Sequence, residues 1–182
     1  VRANELVERP AQNLRETLRI NPDKVLLMYH GRIAEEKGVE VLLKAVSQLD
    51  RRTFHLVIAG NGKPKFVRKL KAFIVANQLV KNVSFVGFCE DIIHLVAQAD
   101  VGVLPSIVPE SLGLANLEYM MMGVSHIATD NGAQREYAID NHNALLVPPD
   151  NHLALAAAIL QLIENPRQRQ LLGTQAQSDF EH

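Results

Sequence analysis

Cysteine and aromatic residues are scarce in this sequence. Of its 182 residues one is a cysteine, Cys89, none is a tryptophan, and 5% are aromatic. A single thiol cannot form a disulfide within the chain, and it cannot supply the spaced cysteine pairs of zinc ribbons or dithiol redox centres. We therefore expect no disulfide framework and a reducing, cytoplasmic environment.

An excess of charge and a long apolar run are also missing. Nineteen lysines and arginines oppose 20 aspartates and glutamates, so the net charge is -1. This balance disfavours general binding to nucleic acid or to a membrane surface, and no apolar run approaches the roughly 20 residues that span a bilayer. The N-terminus does not have the basic, apolar and small residues of a signal peptide. We expect no nucleic-acid partner and no membrane span in this chain.

The composition is otherwise that of a globular domain, with 47% hydrophobic and 21% charged residues. A chain of this length can bury roughly 70% of its unfolded surface. No Gly/Ser linker divides it, so we predict one domain over residues 1–182, with residues 1–22 as a lead-in segment that contains a short helix at 11–19. The chain begins at Val1 and stops after a helical pattern without a C-cap, which leads us to expect a piece of a longer protein.

Apolar runs of strand length alternate with segments of helical periodicity along the chain. The predicted strands are 25–29, 54–59, 83–86, 101–104, 125–129 and 144–147. The predicted helices are 39–49, 64–77, 91–98, 114–122, 134–139, 153–164 and 167–177. The strands are almost continuously apolar, as in parallel sheets that helices cover on both faces. We therefore predict an α/β fold, a Rossmann-like doubly wound parallel sheet of about six strands.

Ligands of such folds bind beyond the carboxyl ends of the strands, where the strand order reverses. For the strand order 3-2-1-4-5-6, which we assume for this chain, that point lies between strands 1 and 4. The segments that follow these two strands, residues 30–38 and 105–118, carry glycines, prolines and charged residues. We expect the functional site to lie where these two segments meet.

Two cations follow strand 1. Lys37 directly precedes the helix that starts near Gly38, and a helix dipole disfavours a cation at its N-terminus unless an anion also binds there. Arg32 can add a planar set of donors, and the two side chains together would offset the charge of a diphosphate without a metal ion. A surface ion pair of Lys37 with Glu35 or Glu36 explains the same pattern.

Two carboxylates flank the second segment. Ser111 is the candidate N-cap of the following helix, and Gly113 leaves the backbone amides accessible to phosphate or sugar oxygens. Glu110 precedes this helix and Glu118 lies about one and a half turns into it, roughly 7 Å further along. Carboxylates accept hydrogen bonds from vicinal hydroxyls, which indicates a sugar on one side of the diphosphate and a ribose on the other. For Glu118 alone, complementing the helix dipole explains the residue equally well.

At these residues the sequence resembles glycosyltransferase family 4, the retaining nucleotide-sugar transferases of GT-B architecture. Gly31-Arg32 followed by Lys37-Gly38 is similar to the Gly-Arg...Lys-Gly element of this family. Glu110 and Glu118, with seven residues between them, are similar to its paired-glutamate motif. Further blocks at 59–62, 85–87, 99–100 and 127–147 resemble the family in the same order. The sequence departs from the family pattern at Leu112, Ser125, Ala133 and Ala144.

The resemblance implies a role for each matching residue. Arg32 and Lys37 would bind the donor diphosphate and Glu110 the hydroxyls of the transferred sugar, and these three are the predicted catalytic residues. Glu118 would bind the ribose. The other substrate-binding positions are Gly31, Ser111, Gly113 and Leu114 beside the phosphates and the sugar, and Gly87, Phe88, Glu90 and Asp91 near the base.

The resemblance also implies the C-terminal, donor-binding half of a GT-B enzyme, with the acceptor-binding N-terminal domain absent from this chain. The donor would be a UDP-, GDP- or ADP-sugar, and a hexosyl group would pass to a hydroxyl of an acceptor glycan, lipid or small molecule. We expect no cofactor and no metal ion. Alone, the chain should bind the nucleotide and barely catalyse.

Other functions remain open at this stage. A catalytically silent nucleotide-binding module would keep the same donor contacts, and a nucleotide-sugar epimerase or a sugar phosphorylase would share the two-domain architecture. A dinucleotide-dependent oxidoreductase would share the fold. Against it, Gly60-Asn61-Gly62 follows the second strand, and Lys65 stands where the third glycine of the fingerprint belongs.

The seven histidines show no spacing typical of metal ligands. Two of them, His30 and His126, border the expected site. We interpret both as polar residues that fill the space at strand ends.

Overall fold

The computed structural model describes residues 13–182, and these form one parallel sheet of six strands. The strands are β1 (Val25–His30), β2 (Phe54–Ala59), β3 (Val83–Gly87), β4 (Val101–Leu104), β5 (Ser125–Thr129) and β6 (Leu145–Val147). Their spatial order is β3-β2-β1-β4-β5-β6, which is the order assumed from the sequence. The predicted α/β, Rossmann-like doubly wound fold is confirmed.

Helices cover both faces of this sheet. The α-helices are α1 (Leu14–Thr17), α2 (Val39–Val46), α3 (Pro64–Ala76), α4 (Ile92–Val96), α5 (Leu114–Met121), α6 (His152–Glu164) and α7 (Pro166–Glu181). Two 3-10 turns, Glu35–Lys37 and Ala133–Glu136, lie in loops after β1 and β5. Among these described helices, none has the length and apolar character needed to cross a membrane.

Strand β1 shows why the strands read as continuous apolar runs, because all of its residues are buried. Leu27 and Tyr29 belong to the core beneath α2, α3 and α6, whereas Leu26 and Met28 belong to a second core beneath α4 and α5. Successive side chains of a strand point to opposite faces. Both sets of side chains must therefore be apolar when helices cover both faces of the sheet.

The predicted helix 134–139 is instead a single 3-10 turn, Ala133–Glu136. Gln134 is buried, and its side-chain amide donates to the backbone carbonyl and to the hydroxyl of Thr129. These bonds tie the turn to the end of β5, and the chain then turns towards β6 instead of continuing as a helix.

The lead-in helix predicted at 11–19 is only partly covered, because residues 1–12 lie outside the described residues. The described part is the short α1, whose N-cap Asn13 accepts hydrogen bonds from the backbone amides of Arg15 and Glu16.

The loops after β1 and β4 are in direct backbone contact. Gly38 has a φ of 69°, and a Cβ at this position would lie 1.8 Å from the carbonyl oxygen of Pro105. A larger residue would therefore push the two loops apart. The backbone N–H of Ile107 also donates to the carbonyl of Glu36 at 2.8 Å. These contacts place the side chains of both loops along one cleft.

The loop after β5 supports Glu110 in a similar way. Gly132 has a φ of 65°, and a Cβ on it would lie 2.4 Å from the carbonyl oxygen of Glu110. The backbone N–H of Ala133 donates to the same oxygen at 3.0 Å. The absence of a side chain at Gly132 is therefore needed for the position of the Glu110 backbone.

Gly132→Ala should destabilise the protein more than Gly123→Ala. Both glycines have a φ of 65°, where alanine incurs a conformational cost of about 1 kcal/mol. Gly132 combines this φ with a ψ of -164°, a conformation that is essentially restricted to glycine, so the cost is higher there. A Cβ at Gly123 meets only the flexible side chain of Gln177, whereas at Gly132 it meets backbone. We expect G132A to lower the free energy of unfolding by about 2 kcal/mol more than G123A, measured by urea denaturation. If the two variants lose the same unfolding free energy, the close contact of Gly132 with the backbone of Glu110 does not matter for stability.

His126 in β5 is fully buried, and its ring lies 6.2 Å from the ring of Tyr119. Burial lowers the pKa of His126 to about 4. Burial, together with the nearby cations Lys24 and Arg15, also lowers the pKa of His55 in β2 to about 4. The folded protein therefore holds both imidazoles in the neutral form near neutral pH.

Acid should destabilise the protein through these histidines. In the unfolded chain a histidine takes up a proton near pH 6.5, whereas His126 in the folded protein does so only near pH 4. Between these values the unfolded state binds more protons, so stability falls as the pH falls. Between pH 7.5 and pH 5, the free energy of unfolding should fall by about 2 kcal/mol less in His126→Leu than in the wild type. Urea denaturation at both pH values tests this.

The control is His182→Gln, at an exposed position, which should leave the pH dependence unchanged. If H126L loses as much stability on acidification as the wild type, His126 does not carry the effect.

Candidate functional site

The carboxyl ends of β1, β2 and β4 open onto a cleft that consists of two contiguous cavities, each of about 520 Å³. The shared wall is formed by His30, Gly31, Arg32, Leu114 and Ala115. The Glu118 cavity is completed by Ala59, Gly60, Asn61, Phe88, Cys89, Ile92 and Glu118. The Glu110 cavity is completed by Tyr29, Lys37, Leu104, Glu110, Ser111, Leu112 and Gly113.

In the Glu110 cavity, Lys37 forms an ion pair that joins the two loops. Its Nζ lies 2.6 Å from Oε1 of Glu110, and the side chains are 24% and 10% exposed. The hydroxyl of Ser106 donates to the same carboxylate oxygen. The sequence left open whether Lys37 pairs with its neighbours Glu35 and Glu36, and the structure pairs it with Glu110 instead. This cation therefore points into the cleft.

Arg32 lies at the mouth of the cleft, in the wall that both cavities share. Its Nη1 lies 2.6 Å from Oε1 of Glu36, and its side chain is 63% exposed. The backbone carbonyl of Arg32 accepts a hydrogen bond from the hydroxyl of Tyr29 at 2.7 Å, which holds the loop against the end of β1. The structure thus brings both predicted cations, Arg32 and Lys37, to one cleft.

In the Glu118 cavity, the carboxylate of Glu118 is bound by a histidine. Nε2 of His30 lies 2.5 Å from Oε2 of Glu118, and Nδ1 of His30 lies 2.9 Å from the hydroxyl of Tyr119. The sequence analysis interpreted His30 as a filler and did not consider Tyr119. The position of these residues in the chain could have predicted the contact, because His30 ends β1 and Glu118 lies in the helix that follows the neighbouring strand β4.

The N-terminus of α5 lies between the two glutamates. The prediction that Ser111 is its N-cap is wrong, because the N-cap is Gly113, with a φ of 70° and no side-chain hydrogen bond. The hydroxyl of Tyr137 donates to the carbonyls of Leu112 and Gly113, which fixes this turn, and the helix begins at Leu114 as predicted. Ser111 lines the Glu110 cavity as an exposed residue. The backbone N–H of Asn116 donates to the carbonyl of Gly113 at 2.8 Å, so the amides of Leu114 and Ala115 are the ones without partners within the helix.

Of the four residues predicted near a base, the structure brings one into the Glu118 cavity. Phe88 lines this cavity and is 70% exposed. Gly87 lines a separate cavity beside β3, Glu90 is exposed, and the Oδ1 of Asp91 lies 2.6 Å from Nδ1 of His94 on α4. The Glu118 cavity is also lined by the apolar side chains of Cys89, Ile92 and Leu114.

The described residues hold no group of three or more His, Cys, Asp or Glu side chains arranged to bind a metal ion. Besides His30, the acidic and basic side chains that line the cleft are Arg32, Lys37, Glu110 and Glu118, and the N-terminus of α5 adds the positive end of a helix dipole.

Curated relatives with similar sequences are glycosyltransferases. The chain is 33% identical over 158 residues to alpha-D-kanosaminyltransferase of Streptomyces kanamyceticus, a match that covers 85% of this chain and 40% of the relative. It is 30% identical over 148 residues to phosphatidyl-myo-inositol mannosyltransferase of Mycolicibacterium smegmatis, which covers 79% of this chain and 37% of the relative. The chain thus spans about two fifths of the length of these relatives.

Solved structures share the fold. Alr3699/HepE of Anabaena, crystallised in complex with UDP-glucose, matches with a TM-score of 0.90 and 25% identity over 100% of this chain and 50% of that chain. The C-terminal domain of the group 1 glycosyl transferase LpcC from Francisella tularensis matches with a TM-score of 0.85 and 24% identity, over 100% of this chain and 96% of that domain. At this level of identity, the likeness to LpcC concerns the fold alone.

The family of glycosyl transferases group 1 matches this chain over residues 10–179, which is nearly its whole length. Together with relatives at 30% identity or more, this match identifies the chain as a member of the group 1 family of glycosyl transferases.

Proposed function

We propose that this chain is the nucleotide-sugar donor-binding domain of a retaining, family 4 glycosyltransferase that transfers a hexosyl group to an acceptor hydroxyl. The observation that carries the proposal is the order of charges along one cleft. Glu118 lies in one cavity and Glu110 in the other, Arg32 lies in their shared wall, and Lys37 reaches in beside Glu110.

The Glu118 cavity suits a nucleoside. Its wall contains Phe88, Ile92 and Leu114, and the exposed ring of Phe88 offers a face on which a base can stack. The carboxylate of Glu118 can accept hydrogen bonds from the two vicinal hydroxyls of a ribose. Base and ribose would then lie at opposite sides of this cavity.

The shared wall and the Glu110 cavity suit the diphosphate and the sugar. Arg32, Lys37 and the amides at the N-terminus of α5 are donors for phosphate oxygens. The two cations pair with Glu36 and Glu110, and a diphosphate would compete for them through its higher charge. Glu110 would then accept hydrogen bonds from hydroxyls of the transferred sugar.

In the proposed reaction the bond between the anomeric carbon and the diphosphate breaks, and the oxygen of the acceptor hydroxyl bonds to that carbon. Negative charge accumulates on the departing diphosphate, which takes up the proton of the acceptor hydroxyl. Arg32, Lys37 and the positive end of the α5 dipole would stabilise that charge where it develops. Because these groups supply the neutralisation, the proposal contains neither a metal ion nor another cofactor. Retention of configuration at the anomeric carbon follows from the family 4 assignment.

Two features support a sugar-transferring site over a silent nucleotide-binding module and over a dinucleotide-binding domain. Glu110 is nearly buried and is held by Lys37 and Ser106, and binding a nucleotide alone does not require a carboxylate there. A Cβ on Gly60 would lie 1.9 Å from the carbonyl oxygen of Gly31. The Gly60 loop therefore packs against the backbone of the loop after β1, and Lys65 in α3 stands where the third glycine of the dinucleotide fingerprint belongs.

UDP is the first nucleotide to test, because HepE was crystallised with UDP-glucose. The whole protein would also need an acceptor-binding domain, since the relatives are more than twice as long as their matched part. We infer that a glycan, a lipid or a small molecule binds there as the acceptor. The single cysteine supports our inference of a reducing, cytoplasmic setting.

Lys37→Met should weaken the binding of UDP by about 10- to 100-fold and leave the binding of uridine unchanged, because only UDP carries the phosphates. Calorimetric titration with both ligands measures this. Loss of Lys37 also leaves the Glu110 carboxylate without its cation, so the double variant K37M/E110Q separates this repulsion from the lost contact.

The matched control is Lys44→Met, because Lys44 pairs with Glu40 on α2 at 3.2 Å and does not line either cavity. It should bind UDP as the wild type does. Equal losses of UDP and uridine binding in K37M would place Lys37 away from the phosphates.

Glu118→Gln should weaken UDP and uridine by the same factor, about 10-fold, because both ligands carry the ribose and a neutral amide accepts its hydroxyls less strongly. The free energy of unfolding should stay close to that of the wild type. Unchanged affinity for both ligands would refute the ribose assignment.

A further inference from the structure

A chain of hydrogen bonds leads from the β1 backbone to the Glu118 cavity. The hydroxyl of Tyr119 lies 2.9 Å from the carbonyl oxygen of Met28, and Nδ1 of His30 lies 2.9 Å from that hydroxyl. Nε2 of His30 lies 2.5 Å from Oε2 of Glu118. The side chains of His30 and Tyr119 are buried, so the chain meets solvent only at Glu118.

The directions of these bonds determine where the protons lie. A carbonyl oxygen can only accept, so the one proton of the Tyr119 hydroxyl points to Met28. Burial raises the pKa of Tyr119 well above its usual value, and the hydroxyl therefore keeps its proton. Nδ1 of His30 must then donate to the Tyr119 oxygen.

This assignment leaves Nε2 of His30 without a proton if the imidazole is neutral, since a neutral ring carries a single N–H. A bare Nε2 and a carboxylate oxygen are both acceptors, and two acceptors do not approach to 2.5 Å without a proton between them. One additional proton must therefore lie between Nε2 of His30 and Oε2 of Glu118.

We propose that His30 is a positioning residue, which holds the Glu118 carboxylate in place for a ribose through this shared proton and so makes ribose recognition depend on pH. The inference rests on the proposed function, in which Glu118 is the ribose ligand. With Oε2 bound to His30, Oε1 and the second lone pair of Oε2 remain available to accept the two vicinal hydroxyls.

Loss of the shared proton in alkaline solution breaks this arrangement in one of two ways. If the lone pair of Nε2 then faces the carboxylate, Glu118 moves away from His30. Alternatively, the Tyr119 hydroxyl turns to donate to Nδ1, and the neutral ring of His30 carries its proton on Nε2. The carbonyl of Met28 then loses a buried hydrogen bond. Both outcomes are unfavourable, so the contribution of the ribose to binding should fall as the pH rises.

The other titratable groups around the pair keep their charge between pH 6.5 and pH 8.5. Arg32 and Cys89 line the same cavity, and Tyr29 and His126 lie near Tyr119. Burial raises the pKa of the Cys89 thiol and of the Tyr29 hydroxyl, burial lowers the pKa of His126 to about 4, and arginine stays charged. Lys37 and Glu110 line the neighbouring cavity together with His30, where the proposed function places the diphosphate and the sugar and not the ribose. A pH effect on ribose recognition in this interval therefore reports the His30–Glu118 pair.

The binding test compares UDP with 2′,3′-dideoxy-UDP by calorimetry on the 182-residue chain. The ratio of the two Kd values isolates the ribose hydroxyls, because the phosphates titrate in the same way in both ligands. In the wild type we expect this ribose preference to fall at least fivefold from pH 6.5 to pH 8.5. In His30→Leu it should be lost at every pH, and taking the ratio of the two Kd values removes any change in affinity that both ligands share.

Two conservative variants separate positioning from a merely structural role. His30→Gln keeps an N–H donor that does not titrate, so the ribose preference should be restored and should no longer depend on pH. Tyr119→Phe frees Nδ1, so a neutral His30 can donate through Nε2, and the pH dependence should disappear while the preference remains. A flat profile in the wild type, or a wild-type profile in Y119F, would overturn the proposal.

A measurement without ligand distinguishes failure of this inference from failure of the proposed function. The ¹⁵N shifts of the His30 ring and the ¹³C shift of the Glu118 carboxyl should show one shared proton at neutral pH in the wild type. In Y119F they should show a neutral ring protonated on Nε2. A wild-type His30 that is neutral and protonated only on Nε2, beside an ionised Glu118, overturns the proton assignment even if no nucleotide binds. A shared proton without binding of UDP would instead refute the donor-binding function, and the ribose role with it.

Discussion

The parallel pairing of β1 with β4 is the interaction on which the rest of the cleft depends. It places Met28 opposite Gly102, and a Cβ on Gly102 would lie 2.4 Å from the ring of Tyr119. The bare backbone of β4 at this point lets α5 pack closely enough for the Tyr119 hydroxyl to reach the carbonyl of Met28. The same packing brings Glu118, the neighbour of Tyr119, to His30 at the end of β1.

Electrostatic balance is the second constraint on the cleft. Lys37 pairs with Glu110 and Arg32 with Glu36, so the cleft carries opposite charges side by side before any anion arrives. The Lys37 pair is the more buried, and Coulomb interactions are stronger where water is excluded. When a diphosphate binds, the electrostatic energy therefore changes more where Lys37 leaves Glu110 than where Arg32 leaves Glu36. Arg32, at the exposed mouth, can exchange its partner at lower cost.

Local patterns predicted much of this molecule because their physical causes are local. Continuous apolar runs identified the strands, since a parallel sheet covered on both faces has no polar face. The same reasoning failed where a distant side chain intervened. Ser111 fits an N-cap by residue type, but the Tyr137 hydroxyl holds the carbonyls of Leu112 and Gly113, and Gly113 is the N-cap. The predicted helix 134–139 gave way to a short turn because Gln134 is bound to the end of β5.

The sequence by itself determined the six strands, the two loops that carry the charged residues, and the resemblance that identifies the family. The roles of Arg32, Lys37 and the two glutamates stay predictions, although the structure brings all four side chains to one cleft. Only the tertiary structure decided that Lys37 pairs with Glu110, 73 residues away, and that His30 binds Glu118, 88 residues away. The physical reason is that the packing of loops and helices on neighbouring strands decides which side chains meet. The residues next to Lys37 or His30 in the chain do not encode that packing.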